Sequence, residues 1–228
     1  MTLQLFDLAL ADIDVRPSPF CWLAKFALLH KGLDFETVPL RFKEKENYPD
    51  PDYGLLPVLK DGDEIICDSG NIIAHIEEKY PGDKIVATAG EQAAADFYAA
   101  WVANNLYPAL GPMMYLRVLA AAHEDDQNYY RETREKRLGV KLEAASIVAG
   151  QNKKVEKALQ TLAAPLARHK FLGGEAPNLC DYIVFSPIMW QRAVTSEVFY
   201  ETPQAVDAWR ERMLDLFDGY ARKAKSAG

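Results

Sequence analysis

Short apolar runs separated by polar breaks predict a small β-sheet in the first part of the chain. Residues 2–8 alternate and are apolar enough for a buried strand, and Phe35–Leu40 is a second such run. Two further runs, residues 58–59 and Glu64–Cys67, flank Asp61-Gly62, a dipeptide typical of a tight hairpin turn. We therefore expect four strands, the last two of which form a hairpin.

Two helices are predicted around these strands. Ser18 and Pro19 have the residue types favoured at a helix N-cap and at the first helical position, and Lys31-Gly32 marks the end of that helix. Asp68-Ser69 precedes a second helix that runs to Tyr80. The apolar positions of both helices share one face: Trp22, Leu23, Phe26 and Ala27 in the first, and Ile72, Ile73 and Ile76 in the second.

Pro57 stands at the entry to the hairpin, where a proline is tolerated because it cannot donate to a sheet ladder. The order strand, helix, strand, loop, hairpin, helix is that of the thioredoxin fold, in which a cis proline precedes the hairpin. Only about 5% of X–Pro bonds are cis, so the prediction of a cis Leu56–Pro57 bond depends on this order. A cis bond would turn the N–H and carbonyl of Leu56 outward.

Beyond the second helix, strand signals vanish and the pattern becomes helical. Residues 81–90 contain proline, glycine and threonine and indicate a linker. Two apolar stripes predict helix faces in the core: Ala93, Phe97 and Trp101, and Val155, Leu159, Leu162 and Leu166. Pro108 and Pro112 predict an end or a bend in the first long helix. We therefore expect an α+β thioredoxin-like domain over residues 1–80, a linker over 81–90 and an all-α domain over 91–228.

Composition and charge narrow the classes of function. The chain is 49% hydrophobic and 26% charged, which suits a folded protein with a sizeable core. Its net charge of −7 argues against nucleic acid as a partner, because phosphate binding needs a basic face. The charge-dense run over residues 131–137 mixes both signs and predicts a solvated helix face. No apolar stretch approaches the roughly 20 residues that span a bilayer, and no signal peptide is visible, so we expect a cytoplasmic protein with no membrane partner.

The cysteines and histidines indicate neither a disulfide framework nor a metal site. Cys21, Cys67 and Cys180 are odd in number and widely spaced, which suits a reducing compartment. Ser18-Pro19-Phe20-Cys21 is a redox Cys-x-x-Cys motif whose first cysteine is replaced by serine, so dithiol chemistry is not available. We interpret Cys21 as packed and inert, with a resolving or regulatory thiol as the alternative. The four histidines lack metal-ligand spacing, and we expect no metal.

A capping pattern marks the start of a late helix. Asn178 is followed three residues later by Asp181, just before the apolar run 183–190. We interpret Asp181 as a buried, hydrogen-bonded cap and assign it no catalytic role.

Taken together, these motifs resemble a cytosolic glutathione transferase over essentially the whole chain. They are Ser18-Pro19-Phe20 at a helix start, the Leu-Pro-Val-Leu run at residues 56–59, Asp68-Ser69 before a helix, an all-α second domain and a late Asn-x-x-Asp cap. The motifs around Ser18, at His30-Lys31-Gly32 and over residues 171–182 look most like the serine-type branch that includes bacterial lignin β-etherases and their fungal relatives.

The resemblance implies a site for glutathione, the co-substrate, in the first domain. Ser18 would stabilise its thiolate, and the backbone of Leu56, held out by Pro57, would pair with its cysteinyl part. Asp68 would lie near the γ-glutamyl ammonium, and Ser69 would bind the γ-glutamyl carboxylate at a helix N-terminus. The glycine carboxylate needs a cation from the following loop, and three candidates stay open: Arg41, Lys43 and Lys45.

The resemblance also implies a hydrophobic small molecule as second substrate and a homodimer as the assembly. The second substrate would lie between the domains, with candidate lining residues Trp101, Tyr107, Met113, Met114 and Tyr115. Three functions follow as alternatives. The thiolate attacks an apolar electrophile in general, it cleaves a β-aryl ether in particular, or the protein is a non-catalytic carrier of hydrophobic ligands.

Overall fold

The computed structural model describes residues 2–146 and 150–228. Four strands form one sheet in the order β2-β1-β3-β4. They are β1 (Leu3–Leu8), β2 (Phe35–Leu40), β3 (Val58–Asp61) and β4 (Glu64–Cys67). β1 pairs in parallel with β2 and antiparallel with β3, and β3 and β4 form the predicted hairpin. The four predicted strands are confirmed.

Two helices complete the sheet domain, α1 (Pro19–His30) and α2 (Ser69–Lys79). Ser18 is the N-cap of α1, and its Oγ accepts a hydrogen bond of 3.3 Å from the N–H of Cys21. Asp68 is the N-cap of α2, and its Oδ1 accepts a bond of 2.8 Å from the N–H of Gly70. Both helix starts are therefore where the sequence predicts them. A short 3₁₀ turn, Lys45–Asn47, lies in the loop between β2 and β3.

The rest of the described chain is helical apart from its connecting loops. The helices are α3 (Ala89–Trp101), α4 (Tyr107–Ala121), α5 (Glu124–Leu138), α6 (Leu142–Ser146), α7 (Gln151–Gln160), α8 (Ala163–Leu166), α9 (Leu179–Val194) and α10 (Gln204–Gly219). α10 is kinked at residues 216–218. The thioredoxin-like domain followed by a helical domain matches the predicted fold class. Within the described ranges, no helix has both the length and the apolarity to cross a bilayer.

One of the two predicted core stripes is wrong. The stripe on α7 and the following turn is buried along its whole length, as predicted: Val155, Leu159, Leu162 and Leu166. On α3, by contrast, Phe97 is 64% exposed and Ala93 is also exposed. The core side of this helix is the row that contains Ala95, with Val102 just beyond its end. Because α3 packs on α9 through that row, the larger aromatic side chain is left outside.

The prolines of the first long helix neither end it nor break it in the described structure. α3 continues into α4 through a π-helical turn, Val102–Leu106, and Pro108 follows at once. Pro112 has no N–H, so the carbonyl of Pro108 lacks its usual helical donor. The Nε2 of Gln151 supplies one at 2.9 Å. A side chain from α7 thus replaces the missing backbone bond, and the expected interruption takes the form of a local π turn.

Asp181 is the most heavily hydrogen-bonded carboxylate among the described residues. It is fully buried at the start of α9. Its oxygens accept bonds from the backbone N–H groups of Leu172, Gly173 and Asn178, at 2.7, 2.9 and 3.1 Å, and from the indole of Trp209 at 2.8 Å. The predicted capping role is confirmed. Asp181 does more than cap α9, because it also binds the preceding loop through Leu172 and Gly173 and α10 through Trp209.

We expect Asp181→Ala to destabilise the fold strongly, because two buried and two partly buried donors would lose their acceptor. Breaking a buried charged network of this kind costs about 3–5 kcal/mol, which corresponds to a melting temperature lower by roughly 6–20 °C for a chain of this size. Differential scanning calorimetry measures the shift. The matched control is Glu175→Ala, an exposed carboxylate that pairs with Lys170, and this change should alter the stability by less than about 0.5 kcal/mol. Equal effects of the two substitutions would contradict the structural role of Asp181.

Candidate functional site

A cleft of about 840 Å³ lies between the sheet domain and the helical domain. Ser18, Pro57 and Asp68 line it from the sheet domain. Tyr107 and Trp190 line it from the helical domain. Residues predicted for one site from separate parts of the sequence therefore share one cavity. A concave, largely apolar cleft with a few polar groups is the usual form of a small-molecule site.

Ser18 presents a hydroxyl at the N-terminus of α1. The residue is 6% exposed and lies on the cleft wall. Its oxygen accepts the N–H of Cys21, which uses a lone pair and leaves the hydroxyl hydrogen able to donate. The positive end of the helix dipole adds to this polarity, because α1 starts at the next residue. The position suits an anion that needs a hydrogen-bond donor, such as a thiolate.

The Leu56–Pro57 bond is cis, as the sequence predicts. Within residues 2–146 and 150–228, neither the N–H nor the carbonyl of Leu56 takes part in a hydrogen bond. Leu56 and Pro57 both line the cleft. The free donor and acceptor of Leu56 can therefore pair with the backbone of an extended peptide in the cleft.

Asp68 holds a backbone conformation that few residues adopt. Its φ is 74° and its ψ is 140°. Such conformations cost about 1–3 kcal/mol and cluster at ligand sites. Asp68 lines the cleft, whereas the neighbouring Ser69 is buried and lies at the first position of α2. Ser69 can therefore offer its backbone N–H at a helix N-terminus more readily than its side chain.

Of the three candidate cations in the loop after β2, the structure brings only Lys45 to the cleft. The guanidinium of Arg41 pairs with Glu44 at 2.9 Å, away from the cleft lining. Lys43 is tied through its backbone N–H to Asp126 at 2.9 Å, and its side chain does not line the cleft. These two predicted positions are corrected: Glu44 holds the Arg41 guanidinium inside the loop, and the exposed Lys43 side chain does not reach the cleft lining.

Lys45 lies in an aromatic part of the cleft. Its ammonium stands 4.3 Å from the centre of the Tyr48 ring and donates to the carbonyl of Gly54. Burial lowers the pKa of Lys45, and the like charge of Arg134 lowers it further. A half-buried ammonium with no carboxylate partner in the described part of the chain is suited to bind an anionic ligand group.

Two of the five residues predicted to line the helical wall do line the cleft. Tyr107 and Tyr115 face the cleft. Met114 is fully buried, and Met113 and Trp101 pack partly buried against the core. On a helix, neighbours in sequence point about 100° apart. Met113 lies on the opposite side of α4 from Tyr115, roughly 160° around the helix. Met114 is on the same side as Tyr107 but is fully buried and does not reach the cleft lining. Trp101 lies before the π turn. These three predictions are wrong.

Sequence reasoning missed several cleft residues. They are Phe20, Phe42, Tyr48, Tyr53, Tyr129, Tyr130, Arg134, Arg137 and Trp190. Tyr53 lines the cleft near Asp68. Burial, and then the charge of Asp68, raise the pKa of Tyr53 to about 12. The prediction of a wholly solvated face over residues 131–137 is wrong at Arg134, which is half-buried in the cleft. The signal that could have revealed it is the spacing Tyr130–Arg134, one helical turn.

Two further groups of reactive side chains lie outside the cleft. They are Cys21 and the one carboxylate–histidine cluster that the described residues form. Cys21 is fully buried, and burial, followed by the charge of Asp7, raises the pKa of its thiol. Its interpretation as a packed, inert residue fits this environment. Asp61, Glu64 and His75 converge at the end of the hairpin, but the ammonium of Lys79 contacts both carboxylates and lies 2.8 Å from Asp61. A protein cation already occupies the position that a metal would take.

Comparison with known proteins identifies the family. The profile of the glutathione S-transferase C-terminal domain matches residues 93–220, which is more than half of the chain, and that of the N-terminal domain matches residues 13–84. This chain belongs to the glutathione S-transferase family. The family assigned from sequence motifs is thereby confirmed, whereas the serine-type, etherase-related branch stays a prediction.

Individual relatives of this glutathione S-transferase are distant. A zeta-class glutathione S-transferase of Euphorbia esula is 34% identical over 101 residues, 42% of this chain and 43% of the relative. Glutathione S-transferase 3 of Zea mays is 26% identical over 165 residues, 68% of this chain and 65% of the relative. The matched segments thus span less than two thirds of either relative.

Solved structures of fungal glutathione transferases share the fold. One from Phanerochaete chrysosporium has a TM-score of 0.73 and 21% identity, covering 96% of this chain and 92% of its own. One from Ceriporiopsis subvermispora, in complex with glutathione, has a TM-score of 0.77 and 19% identity, covering 96% and 99%. At this level of identity the likeness is one of fold.

We expect Gly111→Ala to disturb the helical wall of the cleft. A Cβ at this position would clash with the hydroxyl oxygen of Tyr115 and lie 2.8 Å from its Cζ, so the ring would have to move. Overpacking of this kind costs about 1–3 kcal/mol. Urea unfolding of Gly111→Ala, Tyr115→Leu and the double variant gives the coupling free energy between the two positions. This coupling should exceed about 1 kcal/mol. Additive free energies of unfolding would contradict the contact.

Proposed function

We propose that this protein binds glutathione in the interdomain cleft and uses Ser18 to hold it as a thiolate, which attacks a largely apolar electrophile. One observation carries the proposal: Ser18, the unpaired backbone of Leu56 and the N-cap Asp68 come together on one wall of the same cleft. The relatives named above are glutathione S-transferases, and one fungal neighbour is a glutathione complex. Both support the choice of ligand.

The chemistry requires that the thiol of glutathione be ionised. A free thiol has a pKa near 8.5, so only about 3% is thiolate at pH 7. A pKa lower by about two units, equivalent to roughly 2.7 kcal/mol, gives about 75% thiolate. A hydroxyl that donates to sulfur at a helix N-terminus supplies a hydrogen bond and a favourable dipole. Ser18 has both features.

Glutathione then lies extended along the sheet-domain wall. Its cysteinyl backbone pairs with Leu56, its γ-glutamyl ammonium lies near Asp68, and its γ-glutamyl carboxylate accepts from the backbone at Ser69. Its glycine carboxylate pairs with Lys45. Lys45 is supported over the other two loop cations by its place on the cleft wall and by the half-burial of its ammonium.

The second substrate is an aromatic electrophile that packs on the helical wall. Tyr107, Tyr115 and Trp190 line this side, and the Tyr107 and Trp190 rings lie 6.3 Å apart. Aryl ethers, from which the thiolate would displace a phenolate, are one class within this group. A carrier without catalysis is the competing function. It needs no hydroxyl at the start of α1, whereas a thiolate does.

A panel of electrophiles tests the proposal. The purified protein with glutathione is assayed against an aryl halide, an epoxide and a β-aryl ether. Turnover that depends on glutathione with at least one of them is expected. Tight binding of apolar aromatic dyes with no turnover against the whole panel would favour the carrier function and contradict the proposal.

We expect Ser18→Ala to bind glutathione nearly as well as the wild type but to ionise it poorly at pH 7. Losing one hydrogen bond to a charged group costs about 1.5–3 kcal/mol, which is roughly a ten- to hundredfold loss of turnover. The pKa of the bound thiol should rise toward about 8.5, so activity should partly recover at high pH. Thiolate absorbance of bound glutathione, measured against pH, gives this pKa directly.

The control for Ser18 is a second N-cap far from the cleft. Thr88 caps α3 with its side chain, and Thr88→Ala should lower stability by about 1 kcal/mol without changing turnover per folded molecule. If Ser18 served only as a cap, Ser18→Ala would behave in the same way. Superimposable titration curves for the wild type and Ser18→Ala would exclude Ser18 as the residue that activates the thiol.

We also propose that the protein is a homodimer in which the sheet domain of one subunit packs on the helical domain of its partner. Ile65 on the edge strand β4 and Phe97 on α3 are exposed apolar side chains, 40% and 64% respectively, and lie on the two domains that would meet. Phe97→Glu should dissociate the dimer. Light scattering at micromolar concentration measures the mass, with Val198→Glu, at an exposed site on a loop, as the control. A monomeric wild type would contradict the proposal.

A further inference from the structure

Arg134 is the half-buried cation of the cleft that the proposed binding of glutathione leaves unused, whereas Arg137, which also lines the cleft, is exposed. It lies on α5, and its guanidinium stacks over the rings of Tyr130, at 4.8 Å, and Phe42, at 5.6 Å. Both rings line the cleft with it. The stacking fixes the plane of the guanidinium and leaves its edge free to form hydrogen bonds.

No carboxylate among the described residues pairs with Arg134. Its one side-chain bond is to the hydroxyl of Thr133, at 3.2 Å. Arg131, one turn earlier on the same helix, shows the contrast, because it binds both Glu135 and Glu143. Burial lowers the pKa of Arg134, and its cationic neighbour Arg137 lowers it further.

A half-buried cation without a partner costs free energy in the unliganded protein. The cost is greater here, because Lys45 lies near enough for the charge of Arg134 to lower its pKa. Two half-buried cations therefore share one aromatic cleft with the exposed Arg137, in a chain whose net charge is −7. Such an arrangement favours ligands that bring more than one anionic group into this end of the cleft.

We propose that Arg134 binds a carboxylate of the second substrate, so that the preferred electrophile is an aromatic acid rather than a neutral arene. The inference rests on the proposed function and specifies the substrate class of that site. It makes Arg134 a specificity-determining residue. The planar guanidinium offers a carboxylate two parallel hydrogen bonds, while Tyr130 and Phe42 contact the aromatic ring.

The carboxylate bound by Arg134 and the two carboxylates of glutathione would lie on different walls of the cleft. The γ-glutamyl carboxylate is assigned to the start of α2 and the glycine carboxylate to Lys45, both in the sheet domain. Arg134 belongs to the helical wall, where Tyr115 and Tyr130 also contribute to its electrostatic surroundings. The competing source of the same chemistry is the glycine carboxylate, shared between Lys45 and Arg134. The two sources predict different kinetics.

The test compares two electrophiles that differ in one charge, 4-chloro-3,5-dinitrobenzoate and 4-chloro-3,5-dinitrobenzamide. In both, the thiolate of glutathione forms a C–S bond, chloride leaves with the electrons of the C–Cl bond, and the thiol proton goes to solvent. The wild type should show the lower KM for the benzoate. Arg134→Gln should raise that KM about ten- to hundredfold, with KM for the benzamide and for glutathione within about twofold of the wild type.

Two further variants locate the effect. Arg131→Gln, on the same helix but already ion-paired outside the cleft, should leave the benzoate-to-benzamide ratio of kcat/KM unchanged. Lys45→Gln should raise KM for glutathione equally with both electrophiles. The ratio is measured within one preparation, so a misfolded fraction cancels. If Arg134→Gln raised KM for glutathione and left the ratio unchanged, Arg134 would serve the glycine carboxylate, and the proposal would be overturned.

A binding measurement keeps this inference separate from the proposed function. Absence of turnover with both electrophiles would count against the proposed function alone. Isothermal calorimetry of the unreactive pair 3,5-dinitrobenzoate and 3,5-dinitrobenzamide, with glutathione present, then tests Arg134 directly. Tighter binding of the benzoate in the wild type, lost in Arg134→Gln, supports the carboxylate site. Equal affinities of the wild type for the two compounds would overturn it.

Discussion

The buried carboxylate of Asp181 supports the site from a distance. It fixes the first turn of α9, and the next residue, Tyr182, stacks on Phe26 of α1 with ring centroids 5.5 Å apart. The Tyr182 hydroxyl also lies 2.7 Å from Nδ1 of His30, at the end of α1. α9 therefore holds α1 in place, and α1 carries Ser18 at its start. A change at Asp181 can therefore shift Ser18 through two helices, although Asp181 does not line the cleft.

The cleft has a charge opposite to that of the chain. The protein carries a net charge of −7, yet its cleft contains the half-buried cations Lys45 and Arg134 next to aromatic rings. Aromatic faces hold such cations without neutralising them. In the proposed complex, anionic ligands offset the free energy lost by burying the two charges, so the same feature that reduces the stability of the unliganded protein would favour binding. In this proposed complex the two walls divide the ligand groups: Ser18 and Lys45 bind glutathione, and Arg134 binds the electrophile.

Much of the fold and part of the site could be predicted from the sequence, because their signals are local. The Asp61-Gly62 turn and the caps at Ser18 and Asp181 each depend on a few neighbouring residues and are present in the structure. The cis bond before Pro57 is also present, but its prediction depended on the order of strands and helices in the first domain. Predictions of which side of a helix faces inward were less successful. Phe97 is exposed although its spacing indicates a core stripe, because α3 packs on α9 through a different row.

The sequence by itself determined the family, the two kinds of domain and the positions of Ser18, Pro57 and Asp68, since turn, cap and strand chemistry act over a few residues. Only the tertiary structure decided which loop cation and which helical side chains meet in the cleft. Asp126, 83 residues further along the chain, binds the backbone of Lys43 rather than its side chain, while the Arg134 guanidinium stacks over Phe42. Such choices depend on packing between segments that are distant in sequence, and no local pattern encodes them.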